Sequence, residues 1–161
     1  MNKNIFILNK KNAGQCFRLI SNNSLESYFF ELNGWSKKQY FEQLSKKNNF
    51  SLGLINNNEF IGFILGDLIN LENEIEYEIL ILYISKRYRK KGNATYLLEI
   101  LKNTNSKRIK KLFLEVAISN QPAINFYLKN NFINYGIRKN YFFISKDYKE
   151  NAILFSKNIN Q

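Results

Sequence analysis

Residues 75–98 read "IEYEILILYISKRYRKKGNATYLL". The first eleven have the β-branched and aromatic content of a strand. After Glu78 they are apolar on both faces, which predicts a second half that is central and buried. At the far end Ala94, Leu97 and Leu98, continued by Leu101, recur at helical spacing. Strand therefore gives way to helix through Arg89-Lys90-Lys91-Gly92-Asn93-Ala94. Unpaired backbone N–H groups gather at a helix start, where the macrodipole is positive. Gly92 permits a positive φ or close approach of a ligand, and Ala94 leaves room above the loop. The product is an anion cradle. One Gly makes neither GxGxxG nor a Walker loop, and a basic surface turn satisfies the same local chemistry.

Working outward, "NIFIL" (4–8) predicts a strand. Over 12–32 the apolar positions Ala13, Cys16, Phe17, Ile20, Leu25, Tyr28, Phe29 and Leu32 predict one or two helices, broken near "SNNS". Ser36 can cap a further helix, "SKKQYFEQLSKK", with Tyr40, Phe41 and Leu44 inward. Strands follow at "FSLGLI" (50–55) and "EFIGFILGDLI" (59–69), with "NNN" (56–58) as the turn. Beyond the opening stretch come a strand "KKLFLEVAI" (110–118) and a helix "NQPAINFYLKNN" with Pro122 in its first turn. Last are strands over 132–144 and 151–157, joined by a polar "SKDYKE" loop. The expected order β, α, α, β, β, β, α, β, α, β, β predicts an α+β fold. It is read as one domain over 1–161, a mixed, mostly antiparallel sheet with helices on both faces.

A chain of 161 residues with 45% hydrophobic and 16% aromatic content can build a core. No apolar run is long enough to span a membrane. The N-terminal stretch lacks the apolar length and cleavage site of a signal peptide, so a cytoplasmic location is expected. The chain has no His and a single Cys, Cys16. Serine triads and Cys–His pairs are thereby excluded, and no metal site is expected. Proton transfer falls to Glu, Asp, Tyr or Lys. The net charge of +11 is mostly Lys in an Asn-rich chain poor in Pro, Ala and Gly. Much of it is read as compositional background rather than as a mark of a partner. A non-catalytic basic domain binding RNA or the ribosome surface is the competing class, but no RNP-type aromatic cluster accompanies the lysines. Direct nucleic acid binding is not expected.

The segment Arg89–Ala94 resembles the [QR]xxGx[GA] loop of the Gcn5-related N-acetyltransferases. The likeness extends to "LEVAISNQPAINFYLKNNF" (114–132), to "GIRKNYF" (136–142) and to "GWSKKQYF" (34–41). Together these are similar to the RimI group, which acetylates the N-terminal alanine of small-subunit ribosomal protein 18. Gly34 departs from the Pro often found in that group, and Asn93 replaces a usually apolar residue, with a side chain expected to face solvent.

The resemblance implies acetyl-CoA as cosubstrate and a protein N-terminus, that of ribosomal protein 18, as acceptor. Another N-terminus, a Lys side chain or a small amine remain alternatives with the same fold. It implies that Lys90, Lys91, Gly92, Asn93, Ala94 and Thr95 hold the pyrophosphate through backbone amides. Main-chain groups of Leu82, Tyr83 and Ile84 and the side chain of Asn120 would hold the pantetheine arm. Glu115 is implied as general base and Tyr127 as the acid that protonates the leaving thiolate. Each has a plainer reading: Glu115 as a salt-bridged strand residue, Tyr127 as a core aromatic, Asn120 as a helix N-cap. Glu76 and Glu78 are alternative bases. Trp35, Arg138 and Tyr141 are weaker candidates for contact with the protein substrate, and a covalent route through Cys16 is not expected.

Overall fold

Among the described residues there are seven strands: β1 (Lys3–Ile7), β2 (Leu52–Asn56), β3 (Glu59–Asn70), β4 (Ile75–Ile84), β5 (Ile109–Ala117), β6 (Ile133–Ser145) and β7 (Tyr148–Asn158). They make one sheet in the order β1-β2-β3-β4-β5-β7-β6 in the computed structural model, which describes residues 2–104 and 109–159. Only β4 and β5 run parallel; every other pair is antiparallel. Helices α1 (Ala13–Ser21), α2 (Ser24–Leu32) and α3 (Lys37–Ser45) lie on one face, and α4 (Asn93–Thr104) and α5 (Gln121–Lys129) on the other. The expected α+β architecture is the one observed.

Each face has its own core. Leu97, Leu98 and Leu101 of α4 pack with Leu52, Ile64, Leu112 and Phe155. Cys16 and Ile20 of α1 and Tyr40 and Leu44 of α3 pack with Phe63, Leu65, Ile81 and Tyr83. Several expectations need correction. The stretch 12–32 forms two helices broken within "SNNS", the second of the alternatives read there, so three helices precede β2 where the expected order counted two; Asn23 caps the second by accepting the Glu26 N–H. Leu25, Tyr28 and Phe41 are exposed. Gln43 takes the inward position on α3 instead, its amide donating to the buried Asp67 carboxylate. The β2–β3 turn is only Asn57-Asn58, with φ of 49° and 64°, as a two-residue primed turn requires. The loop expected at 145–150 shrinks to Lys146-Asp147, because Tyr148–Glu150 belong to β7. Glu150 is buried and accepts a hydrogen bond from the Ser119 hydroxyl at 2.6 Å.

One irregularity explains why residues 79–84 are apolar on both faces. Leu65 pairs with Ile81 and Gly66 with Ile79, so Leu80 is an extra residue, a bulge. A one-residue insertion flips every later side chain to the other face. Tyr77 and Ile79 enter the α4–α5 core, whereas Ile81 and Tyr83 enter the α1–α3 core. Gly66 lies opposite the bulge. A Cβ there would sit 2.3 Å from the Glu78 carbonyl oxygen and 2.3 Å from the Tyr77 ring.

Directly beyond the bulge the sheet forks. The β4–β5 ladder ends at Ile79–Leu114, yet β4 continues to Ile84 and β5 to Ala117. The β5-facing backbone edge of Leu80–Ile84 therefore has no strand beside it. Gly66→Ala is expected to destabilise the fold by at least about 2 kcal/mol, because the added methyl meets backbone that cannot yield locally. A urea denaturation midpoint equal to that of the parent would contradict this account of the bulge.

Candidate active site

A pocket of about 450 Å³ opens at the fork on the α1–α3 side, lined among others by Asn33, Trp35, Glu78, Glu115, Tyr141 and Phe142. Strand alternation puts both carboxylates there. Leu112, Leu114 and Val116 enter the α4–α5 core, so Glu115 faces the other way. Glu78 alternates with Tyr77 and Ile79 before the bulge, so it shares that face. Glu76 lies lower, paired with Lys111 at 3.3 Å, and does not line the pocket.

Glu115 Oε1 lies 2.6 Å from Arg138 Nη1. Burial, and then the carboxylate of Glu115, push the Tyr141 phenol above its ordinary value. The Arg138 guanidinium also stands 4.8 Å over the Tyr141 ring. Arg138, Tyr141 and Trp35, each open to an ordinary reading from sequence, thus meet at the pocket. The separate spacings of "GW" at 34–35 and "RKNY" at 138–141 give no sign of the meeting. Burial, and then the negative charges of Glu115 and Asp67, push the Glu78 carboxyl above the ordinary carboxylate range.

The outer wall is set by the end of α2. Trp35 N–H donates to the Phe30 carbonyl (2.8 Å) and Gly34 N–H to Glu31 (3.0 Å), with Gly34 at φ +90°. This is a Schellman cap. Pro at 34 could supply neither the N–H nor the φ, so the loop differs from one built on Pro. The preceding residue, Asn33, clamps β6: its Nδ2 donates to the Phe143 carbonyl and its Oδ1 accepts the Phe143 N–H, both at 2.9 Å.

On the other side of the fork lies the loop from the opening stretch. Lys90 has φ +57° and Gly92 φ +75°, and a Cβ at Gly92 would meet nothing within 4 Å. Alternation of this kind, followed by the free N–H groups of α4's first turn, forms an anion-binding concavity. Lys90, Lys91, Gly92 and Thr95 are exposed around it and Ala94 is half-buried. Asn93 is buried, not solvent-facing as expected. Its Nδ2 donates to the Tyr88 carbonyl at 2.8 Å, and its Oδ1 has no partner among the described residues.

The basic side chain that shapes this loop is Arg89. Its Nε donates to the Ile84 carbonyl (2.7 Å) and its two Nη atoms to Glu26 of α2 (2.7 and 3.0 Å). The Tyr83 hydroxyl joins the same carboxylate at 2.6 Å. Burial alone would raise the Glu26 carboxyl; the Arg89 and Tyr83 bonds overcome it and hold the group below its usual value. No local sequence signal marks Glu26 as the partner of a residue 63 positions away.

Leu82, Tyr83 and Ile84 lie on the unpaired edge of the fork, paired only with Ile64, Phe63 and Gly62 of β3. Asn120 caps α5, accepting the Ala123 N–H at 3.2 Å. Tyr127 is buried on the α4–α5 side against Phe132 and Phe155 and does not line the carboxylate pocket. Phe155 pairs with Leu114, the last rung before the fork, so Tyr127 sits at the level of the opening. Burial pushes its phenol well up. Burial also pushes the Cys16 thiol up to about 12, which leaves it unreactive. Among the described residues no group of His, Cys, Asp and Glu could hold a metal ion, and no helix is long and apolar enough to cross a membrane.

An amide-lined concavity suits a pyrophosphate, and an open strand edge suits an extended arm bearing amides of its own. Residues 18–132 match the Acetyltransferase (GNAT) family. An N-alpha-acetyltransferase of Saccharolobus solfataricus is 38% identical over 66 residues, 40% of this chain and 40% of that protein. The chain thus spans only about two fifths of the curated relative it matches. The fold is that of the ribosomal-protein-S18-alanine N-acetyltransferase from Escherichia coli (TM-score 0.79, 21% identity, 99% of this chain and 96% of that one). It is also that of Arabidopsis thaliana NAA60 in complex with acetyl-CoA (TM-score 0.79, 16% identity, 99% and 100%).

Asn33→Ala should release the wall from the β6 edge. Amide exchange at Phe143 is expected to quicken about fivefold, since its N–H loses one hydrogen bond of about 1 kcal/mol. Unchanged exchange there would mean that the clamp does not hold β6.

Proposed function

The chain belongs to the acetyltransferase (GNAT) family, and from that premise we propose a single-domain N-α-acetyltransferase whose acceptor is the N-terminal amine of a polypeptide. The N-terminal alanine of small-subunit ribosomal protein 18 is the named candidate. The observation that carries the reading is the pair Glu78 and Glu115, both facing one pocket where the sheet forks.

Acetyl-CoA, when bound, supplies the acetyl group as a thioester. In this proposal the amides of Lys90–Thr95 hold its pyrophosphate. The open edge of Leu82, Tyr83 and Ile84, with Asn120, holds its pantetheine arm. The acceptor arrives largely as ammonium, since an N-terminal amine has a pKa of about 8. Glu115, oriented by Arg138, draws it into the pocket. Glu78 then takes its proton, because a carboxyl raised by burial and by neighbouring charge is the better proton acceptor near neutral pH. This assigns to Glu78 the base role that the family likeness gives to Glu115. The N–C bond forms as the C–S bond breaks, the second proton that nitrogen loses on becoming an amide passes to solvent, and the Tyr127 hydroxyl is the proton source for the departing sulfur. Cytoplasmic residence suits such an acceptor.

Turnover on a peptide panel tests the acceptor: N-terminal alanine peptides should be acetylated, and a protein that reacts only with Lys side chains or small amines would sink the reading. Acetyl-CoA at 100 times its dissociation constant should stabilise the protein by about 2.7 kcal/mol. The pH profile tests the carboxylates. Glu115→Gln removes a charge that raises Glu78, so the acid limb of kcat should move to lower pH. Arg138→Gln removes a charge that lowers Glu78, so the limb should move to higher pH. Limbs that stay in place, or both move one way, would remove Glu78 from the role.

A further inference from the structure

From Glu115 a trough runs across the sheet to its edge, and it is not part of the pocket just described. Glu115 pairs with Leu154 of β7, and Leu154 pairs with Gly136 of β6, so the three lie in one row on one face. Gly136 has no side chain and Leu154 is half-buried, so the row is low. One rim is Arg138, which stands over the buried Ala152. The other rim is Phe113, Ile133 and Tyr135. Phe113 and Ile133 both pair with Ser156 and so share this face. Tyr135 leans onto it, where the Lys111 ammonium lies 6.0 Å from its ring. Helices α1–α3 form their core with β1–β4 and reach β6 at Phe142 and Phe143, through Phe29 and Asn33, away from the row of Glu115, Leu154 and Gly136. Ile133 is 63% and Tyr135 53% exposed.

We propose that this trough holds the segment of the acceptor polypeptide directly behind its amine, with an apolar side chain set against Ile133, Leu154 and Phe113. The proposal rests on the acetyltransfer reading above. Continuity identifies the occupant. The trough begins at the carboxylate that draws the amine and ends at the free edge of β6, the outermost strand. Arg138 gives one N–H to Glu115, and its side chain stays 53% exposed, which leaves further donors of the fork open to a ligand. A backbone carbonyl suits that fork, and a polypeptide offers one at every residue. A small amine offers none and would leave the apolar rim unused.

The test compares three acceptors: alanyl-alanine amide, an alanine-led hexapeptide with Leu, Val and Phe at positions two to four, and the same hexapeptide with Asp there. The apolar hexapeptide should exceed the dipeptide about tenfold in kcat/KM, as expected for about 1.4 kcal/mol of side-chain burial. The acidic hexapeptide should show no such gain. Ile133→Glu and Leu154→Lys should each abolish most of the apolar advantage, read as the ratio of hexapeptide to dipeptide within one variant. Equal kcat/KM for all three acceptors overturns the trough while the acetyltransfer reading stands. Acetyl-CoA binding without transfer to any of them overturns both. A parent dimer that Ile133→Glu converts to a monomer would show that a second copy covers the face, and would also overturn the proposal. The comparison of the three acceptors on the parent protein decides the matter even if a variant fails to fold.

Discussion

Two parallel strands that stop pairing halfway are the constraint on which the rest depends. A parallel ladder holds only while both strands keep the same twist and spacing, and the extra residue Leu80 ends that agreement. Beyond it the backbone of Leu80–Ile84 keeps β3 on one side and has no strand on the other. An open edge in the middle of a sheet is costly unless something else pairs with it. The same bulge turns Ile81 and Tyr83 toward α1–α3 and leaves Glu78 beside Glu115. One inserted residue therefore creates the open edge and, beside it, the acidic pocket.

Helix α2 ties the two sides of the fork together. Its first turn holds Arg89 through Glu26, and Arg89 holds the end of β4 through the Ile84 carbonyl. Its C-terminal cap holds Phe143 of β6 through Asn33. One nine-residue helix thus contacts both the loop at 89–92 and the wall of the carboxylate pocket. The basic triplet that dominates the loop in sequence is thus divided in the fold. Arg89 is structural, whereas Lys90 and Lys91 are exposed and contribute backbone geometry as much as charge.

Much of this was legible in the sequence, and the limits have physical causes. Strands β3 to β5 and helices α4 and α5 follow from local periodicity, which does not need the rest of the fold. The loop at 89–94 could be read as an anion cradle because helix-start chemistry is also local. What stayed hidden depends on contacts distant in sequence. Arg138 and Tyr141 sit on a hairpin whose register shifts bring them to Glu115. Glu26 is an ordinary first-turn acid until α2 packs beside β4. Gln43 is inward and Phe41 outward, against hydrophobic pattern, because Asp67 needs a buried donor. Asn93 faces inward because the Tyr88 carbonyl, left over by a 3-10 turn, needs one too.

The chain has no His, and the proposed reaction therefore divides its labour between two carboxylates. A lone carboxylate near its ordinary pKa is a weak base at neutral pH, and an imidazole is the usual remedy. Here a second carboxylate on the same face serves instead. The charge of Glu115 raises Glu78, while Arg138 limits that effect and keeps the pocket from becoming a pair of mutually repelling acids. An N-terminal amine, with a pKa of about 8 against about 10.4 for Lys, is the protein amine whose proton such a base can most readily take. In the proposed function, a preference for a chain terminus over a Lys side chain would follow from this difference in proton affinity.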